Sequence, residues 1–421
     1  MVRVLGCERM LRTRSHPKMR GFTTEIPNEP SYPRLSHRAF GYNGEMDLPE
    51  LPDPTWVDSM PALQAMVGVL ADCPIIAVDT ESNSLHAFQE QVCLIQFSCP
   101  KGDYLVDPLT LRDLSSLGPI FANPSIEKIF HAAEYDVICL KRDFNFTFTN
   151  LFDTMVAGRI LGRNAVGLAS MLEAAFGVAL DKHYQRADWA LRPLKPAMLS
   201  YARFDTYFLI PLRERLKAGL IETHRWVLAQ EDFNRLCALN GHSLDNGKDS
   251  CWKVTGIQDL DPRRAAVLRE LCRYRDGQAR AANMPVFKII NNQALLEIAQ
   301  TCPNYIEELD LLPGLSARQV QRHGRRLLAA VKRGLNAPPL VKPAYERMDE
   351  QLATRVEMLR SWRKRTAQDL GVESDVILPR DVMQSIAEAN PSCLDELATI
   401  MQSSPSRFGQ YGHAILRILN R

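Results

Sequence analysis

The run PIIAVDTES, residues 74–82, is short, rich in β-branched and apolar residues, and closes on two acids. Its composition predicts a buried strand. Successive strand side chains alternate between faces, so Asp79 and Glu81, one residue apart, share a face. Two carboxylates held together repel one another unless a cation sits between them, or unless they merely cap the following turn. The runs VCLIQFSC (92–99) and DYLVDP (103–108) repeat the strand pattern. Helix-like and strand-like segments then alternate as far as LFDT (151–154), and the chain turns helical from there to about 220. Such alternation predicts an α/β domain, a buried sheet covered by helices.

The chain around this run is 421 residues long, with 46% apolar and 24% charged residues. This length exceeds a single domain of ~100–200 residues. The composition excludes collagen-like, coiled-coil and wholly disordered readings. No stretch approaches the ~18 apolar residues of a membrane helix, so no membrane association is expected. The 10 cysteines show neither CxxC pairs nor zinc-finger spacing, and several sit in apolar strings, which suits a reducing, cytoplasmic setting. Residues 1–50 contain PNEPSYPRLS and DLPE without a sustained apolar period, and are expected to be mostly disordered. Their Arg-rich opening superficially resembles a transit peptide, and equally a loose basic tail or an early start codon.

Charge is unevenly placed. Residues 50–220 carry 15 Lys+Arg against 20 Asp+Glu, a balance of −5, whereas 260–334 carry 13 against 7, a balance of +6. An acidic block followed by a basic one suits a metal-binding core with a polyanion-binding appendage, and on charge alone equally suits chance variation. The last third also repeats itself. A shift of 88 residues aligns 264–333 with 352–421 without a gap, and 14 of the 70 pairs are identical, among them Leu271/Leu359, Arg275/Arg363 and Gly324/Gly412. Both copies read as small helical bundles joined by APPLVKP (337–343). The expected organisation is a lead-in over 1–50, an α/β domain over 51–220, a helical linker over 221–259, and all-α bundles over 260–336 and 344–421.

Two further acids join the first pair. HAAEYD (131–136) places Asp136 in the first turns of a helix, and YARFD (201–205) places Tyr201 and Asp205 four apart on one helix face. An Asp on an apolar helix face is costly to bury without a partner, and a metal ion would be one; taken alone, Asp205 could equally face solvent and Tyr201 be ordinary core. DTE, HAAEYD and YARFD, in this order, resemble the DEDD superfamily of 3′–5′ exonucleases, and the Tyr four before the last Asp resembles its DEDDy branch. With VCLIQF, YLVDPL, LFDTMVAGRILG and LDKHYQRADWALRPL (180–194), the segment from 70 to 220 is similar to ribonuclease D, and the two repeats resemble HRDC domains.

The resemblance implies a ribonuclease H-like mixed sheet flanked by helices. It also implies a metal-dependent 3′–5′ exoribonuclease that releases nucleoside 5′-monophosphates, with tRNA precursors as substrate. Asp79, Glu81, Asp136 and Asp205 match the family's metal-binding acids, for two divalent ions, Mg²⁺ or Mn²⁺, and Tyr201 matches its catalytic tyrosine. His131 is expected to be structural or at the substrate edge, and Asp153 to cap a helix or support the site. Lys182, Arg186 and Arg192 are candidate phosphate contacts, and Trp189 either stacks on a base or packs. Arg203 departs from the family's small residue and is expected to point away from the acids. In the first repeat Arg273, Arg275, Arg280, Lys288, Arg322, Arg325 and Arg326 would supply a basic surface. The neutral second repeat would serve packing or partner contact. RNA is the expected partner, with no obligate protein partner evident. A DNA exonuclease, or an RNA-binding protein without catalysis, are the alternatives, the second opposed by all five positions being filled.

Overall fold

A computed structural model describes residues 52–241, 250–341 and 349–420. The expected lead-in and parts of both connectors lie outside these residues. Six strands, β1 (Thr55–Val57), β2 (Ile75–Ser82), β3 (Val92–Cys99), β4 (Gly102–Val106), β5 (Glu127–Phe130) and β6 (Leu151–Asp153), form one mixed sheet. Their order is β1-β4-β3-β2-β5-β6. The run PIIAVDTES supplies the central strand β2, antiparallel to β3 and parallel to β5.

Alternation along β2 builds both cores. Ile76 and Val78 pack with Leu63 and Leu70 of the Met60–Ala71 helix and with Val137 and Leu140 of the Glu134–Phe144 helix. Ile75 and Ala77 face the other way, onto Leu209, Leu212 and Leu216 of the Leu209–Glu222 helix and Phe233 of the Trp226–Cys237 helix. The expected α/β layering follows from this period of two. Asp79 and Glu81 continue the row of Ile75 and Ala77 beyond the apolar part of the strand. A register shift between Glu81 and Ser82 ends the ladder there.

The two bundles repeat the same order of helices. Pro262–Ala282, Val286–Ile289, Asn292–Thr301, Ile306–Asp310 and Ala317–Asn336 form the first. Glu350–Leu370, Ser374–Ile377, Arg380–Ala389, Leu394–Ile400 and Pro405–Leu419 form the second. The shift of 88 is visible in their cores: Tyr274 meets His323 edge-on at 6.0 Å, and Trp362 meets Tyr411 likewise at 5.6 Å. The linker expected over 221–259 is corrected at both ends. The Trp226–Cys237 helix belongs to the sheet's packing, and Cys251, Val254 and Ile257 belong to the core of the first bundle. Three apolar residues in a short polar stretch carry too little periodicity to reveal this from sequence.

Each bundle also touches the α/β domain. Phe88 packs on the first bundle's core, and its backbone N–H donates to Asn283 Oδ1 at 3.3 Å. The second bundle inserts Arg407, fully buried, whose guanidinium donates to Glu231 at 3.1 Å and Asp232 at 2.8 Å on the Trp226–Cys237 helix. Among the described residues no helix is long and apolar enough to cross a membrane.

Candidate active site

The β2 terminus and the Pro196–Tyr207 helix bring three acids together. Carboxylate oxygens of Asp79, Glu81 and Asp205 all lie within 4.8 Å of one another. The helix begins with Pro196 at its first turn and packs Met198 and Ala202 against Leu94 of β3 and Trp189. That packing turns Tyr201 and Asp205, one helical turn apart, toward the strand end. Both line a cleft of about 500 Å³ with Asp79, Glu81, Thr80 and His131.

The electrostatics are those of like charges crowded together. Burial, reinforced by the charge of Asp205, holds the Asp79 carboxyl well above the usual carboxylate range. Glu81 is pushed up to about 10 by burial and by Asp79, Asp205 and Asp136. Burial raises Asp205 to about 7, against a hydrogen bond from Tyr201 that favours its charged form. None of the three has an ion-pair partner among the described residues. A hard divalent cation, which prefers several carboxylate oxygens, would offset both the burial and the mutual repulsion, so the donor set fits such an ion. Tyr201 is held fully protonated by burial and by the neighbouring Asp205, Glu81 and Asp79.

Asp136 stands beside this trio without belonging to it. It lies in the first turn of the Glu134–Phe144 helix, as expected, and is buried. Its carboxylate accepts from the hydroxyl of Thr80. Thr80 alternates with Asp79 and Glu81 along β2 yet lines the same cleft, and burial together with the charge of Asp79 raises the Asp136 carboxyl, so Asp136 stands close to the trio. Thr80 thus carries a contact that sequence reasoning missed, although its place inside DTE was a signal.

The remaining expectations divide. Asp153 is both cap and support: its carboxylate accepts from Met155 and Val156 at the start of the Thr154–Ile160 helix and from Ala132 and Ala133 in the turn before Asp136. His131 lines the cleft, bonds Thr154 Oγ1 at 2.9 Å, and is pushed down to about 4 by burial, so it is neutral. Lys182 lines the cleft and is exposed, and Arg186 is exposed nearby. Two candidates for substrate contact are corrected. Trp189, 1% exposed, is core under the Pro196–Tyr207 helix and cannot reach a base. Arg192 is spent on the fold, donating to both oxygens of Asp107 and to the carbonyls of Cys93, Trp189 and Leu191. Arg203 points away from the acids, paired with Asp103 at 2.6 Å. Within the expected basic surface, Arg275 is 3% exposed and donates to Asn292, so it is core as well.

Comparison with known proteins gives a consistent picture. Residues 54–221 match the 3′-5′ exonuclease family model, and residues 264–331 and 353–419 each match the HRDC domain. The chain is 35% identical over 292 residues to the exosome complex exonuclease RRP6 of Saccharomyces cerevisiae, covering 66% of this chain and 40% of that protein. It is 32% identical over 293 residues to ribonuclease D of Escherichia coli, covering 68% of this chain and 77% of that protein. The crystal structure of Escherichia coli RNase D superposes with a TM-score of 0.66 at 26% identity, over 88% of this chain and 99% of that one. The chain spans half or less of the length of the RRP6-type relatives it matches.

Proposed function

Because the chain belongs to the ribonuclease D family of 3′–5′ exonucleases, we propose that it trims RNA from the 3′ end, releasing nucleoside 5′-monophosphates, with tRNA precursors as the substrate class. The observation that carries this reading is the convergence of Asp79, Glu81 and Asp205 within 4.8 Å beside Tyr201. Two divalent cations, Mg²⁺ or Mn²⁺, would stabilise the attacking and leaving oxygens of an in-line phosphodiester displacement when bound. Asp79, Glu81 and Asp205 would hold them directly, and Asp136, whose carboxylate accepts from Thr80, would help to hold the second ion. Tyr201, kept as a neutral phenol, orients the attacking water by hydrogen bonding. Water adds to the terminal phosphorus, the bond to the preceding 3′-oxygen breaks, and that oxygen leaves as a new 3′-hydroxyl.

The surroundings supply a path for the strand. A second, smaller cleft shares Thr80, Glu81 and Gln185 with the first and runs along Ser82 and Leu85 to His86. There Lys288 of the first bundle stands 3.4 Å from the imidazole. Upstream phosphates leaving the acids in this direction meet the basic bundle, so chemistry and grip lie on one track. Cys73, Cys93, Cys99, Cys139 and Cys237 keep their thiols reduced in and around the α/β core, in keeping with a cytoplasmic enzyme.

The test is purified full-length protein with Mg²⁺ or Mn²⁺ on matched 5′-labelled RNA and DNA strands. Stepwise shortening of RNA with release of 5′-monophosphates is expected. Shortening of DNA alone would leave the acids in place and overturn the RNA assignment. Asp79→Ala and Asp205→Ala should each abolish cleavage with the fold intact. Tyr201→Phe should be milder, a loss of roughly 10²–10⁴-fold, the range for a positioned proton-handling group.

A further inference from the structure

Gln96 is a buried primary amide with nothing to bond among the described residues. It lies in the middle of β3, is fully excluded from solvent, and neither its Oε1 nor its Nε2 has a hydrogen-bond partner there. The neighbours on its strand face do not serve it. Ser98 is bonded to Thr206 at 2.8 Å, and Leu94 is apolar. Directly across the antiparallel ladder stands Asp79. Opposed residues of such a pair project from the same face with Cβ atoms about 4.5–5.5 Å apart. The Pro196–Tyr207 helix, which carries Tyr201 and Asp205, covers this face. The amide is therefore sealed between the acid at the centre of the site and the helix that completes it.

A lone buried amide forfeits its bonds to water and gains none in return, and folded proteins rarely tolerate one without a reason. A methionine or leucine would fill the same space at no such cost. Metal-holding carboxylates generally need an outer partner that fixes which oxygen faces the ion, and an amide donor is suited to that task. We infer that Gln96 is a positioning residue for the carboxylate site, its Nε2 donating to Asp79 in the metal-loaded protein and setting the orientation of that carboxylate. The inference rests on the metal-dependent reading of the site given above.

Full-length wild-type protein, Gln96→Met and Gln96→Leu are compared by Mn²⁺ titration calorimetry, by melting temperature in EDTA and in Mn²⁺, and by kcat on a short RNA. Both variants should fold in EDTA with a melting temperature equal to or above wild type, since an unsatisfied amide has been removed. Both should bind Mn²⁺ about 10–100-fold more weakly, the usual penalty for losing an outer partner, and show a smaller Mn²⁺-induced rise in melting temperature. Wild-type Mn²⁺ affinity in both variants overturns the role of Gln96 and leaves the proposed function standing. Failure of both to fold in EDTA also overturns it, by making the amide a structural requirement. Absence of Mn²⁺ binding by wild type would overturn the proposed function together with the inference.

Discussion

His131 shows how a polar side chain can stand in the cleft without bringing charge to it. Its only side-chain bond among the described residues is to Thr154, and burial holds it near 4, below the usual 6.5. The folded protein therefore binds this proton less readily than the unfolded chain. The resulting stability is present above pH 6.5 and is lost as pH falls toward 4. The full effect is roughly 3 kcal/mol, from 1.36 kcal/mol per pKa unit. Urea denaturation of wild type and His131→Gln at pH 7 and pH 4.5 measures it, and wild type should lose more stability between the two. Equal losses would mean that the imidazole titrates as it does in solvent. Strand and helix periods set Asp79 beside Glu81 and Tyr201 beside Asp205 from local sequence, and the resemblance to the DEDDy exonucleases singled out these residues and Asp136 as one site. The fates of Trp189 and Arg192 were not legible, since the packing of one on Leu94 and the pairing of the other with Asp107 depend on segments about 85 residues or more away. The same RADWALRPL letters would suit a phosphate-binding loop if Asp107 lay elsewhere.

At the level of elements, the turn between β5 and the Glu134–Phe144 helix depends on one side chain from β6. Ala132 adopts a left-handed backbone with φ 61°, unusual for a residue with a Cβ and costing about 1–2 kcal/mol. Asp153 holds that turn by accepting from the N–H groups of Ala132 and Ala133 while capping the next helix through Met155 and Val156. Asp153→Ala should cost more than the ~1 kcal/mol of an ordinary N-cap, because two loop N–H groups lose their acceptor as well. It should also lower kcat, since Asp136 begins the helix that this turn aims. Adding Ala132→Gly, which suits the left-handed region, should recover part of the stability but not the helix cap. Thermal melts and initial rates of the single and double variants check this. If Asp153→Ala melts like wild type, the turn is held by other contacts. The sequence pointed to Asp153 as cap or support, and the structure unites the two because β6 lies beside β5. Parallel pairing between strands some 20 residues apart is not written in either segment.

Across the whole molecule, the two bundles differ in how matched positions are used. Arg407 occupies the place of Gln319 in the first copy, where Gln319 completes a capping box with Ser316. In the second copy the same position is a buried guanidinium paired with Glu231 and Asp232 of the α/β domain. Block charge could not show this, since a neutral sum hides one buried cation among exposed ions. The second bundle is thus braced on the α/β domain by Arg407, whereas Arg322, Arg325 and Arg326 of the first are exposed, which makes the first bundle the proposed polyanion surface. The two roles separate experimentally. Arg407→Ala strands Glu231 in the interface and should cost about 3–5 kcal/mol, as when one partner of a buried pair is removed, with little change in RNA affinity measured where the protein remains folded. Changing Arg322, Arg325 and Arg326 together to Gln should leave stability nearly unchanged. It should weaken RNA binding and reduce the slope of log K against log salt by roughly 0.7 for each single-strand phosphate that the variant no longer neutralises. Denaturation curves and RNA binding at several salt concentrations, run on both variants, decide between brace and grip. A triple variant that keeps the wild-type salt slope would move the RNA-binding surface off the first bundle, and an Arg407→Ala protein as stable as wild type would deny the second bundle its bracing role.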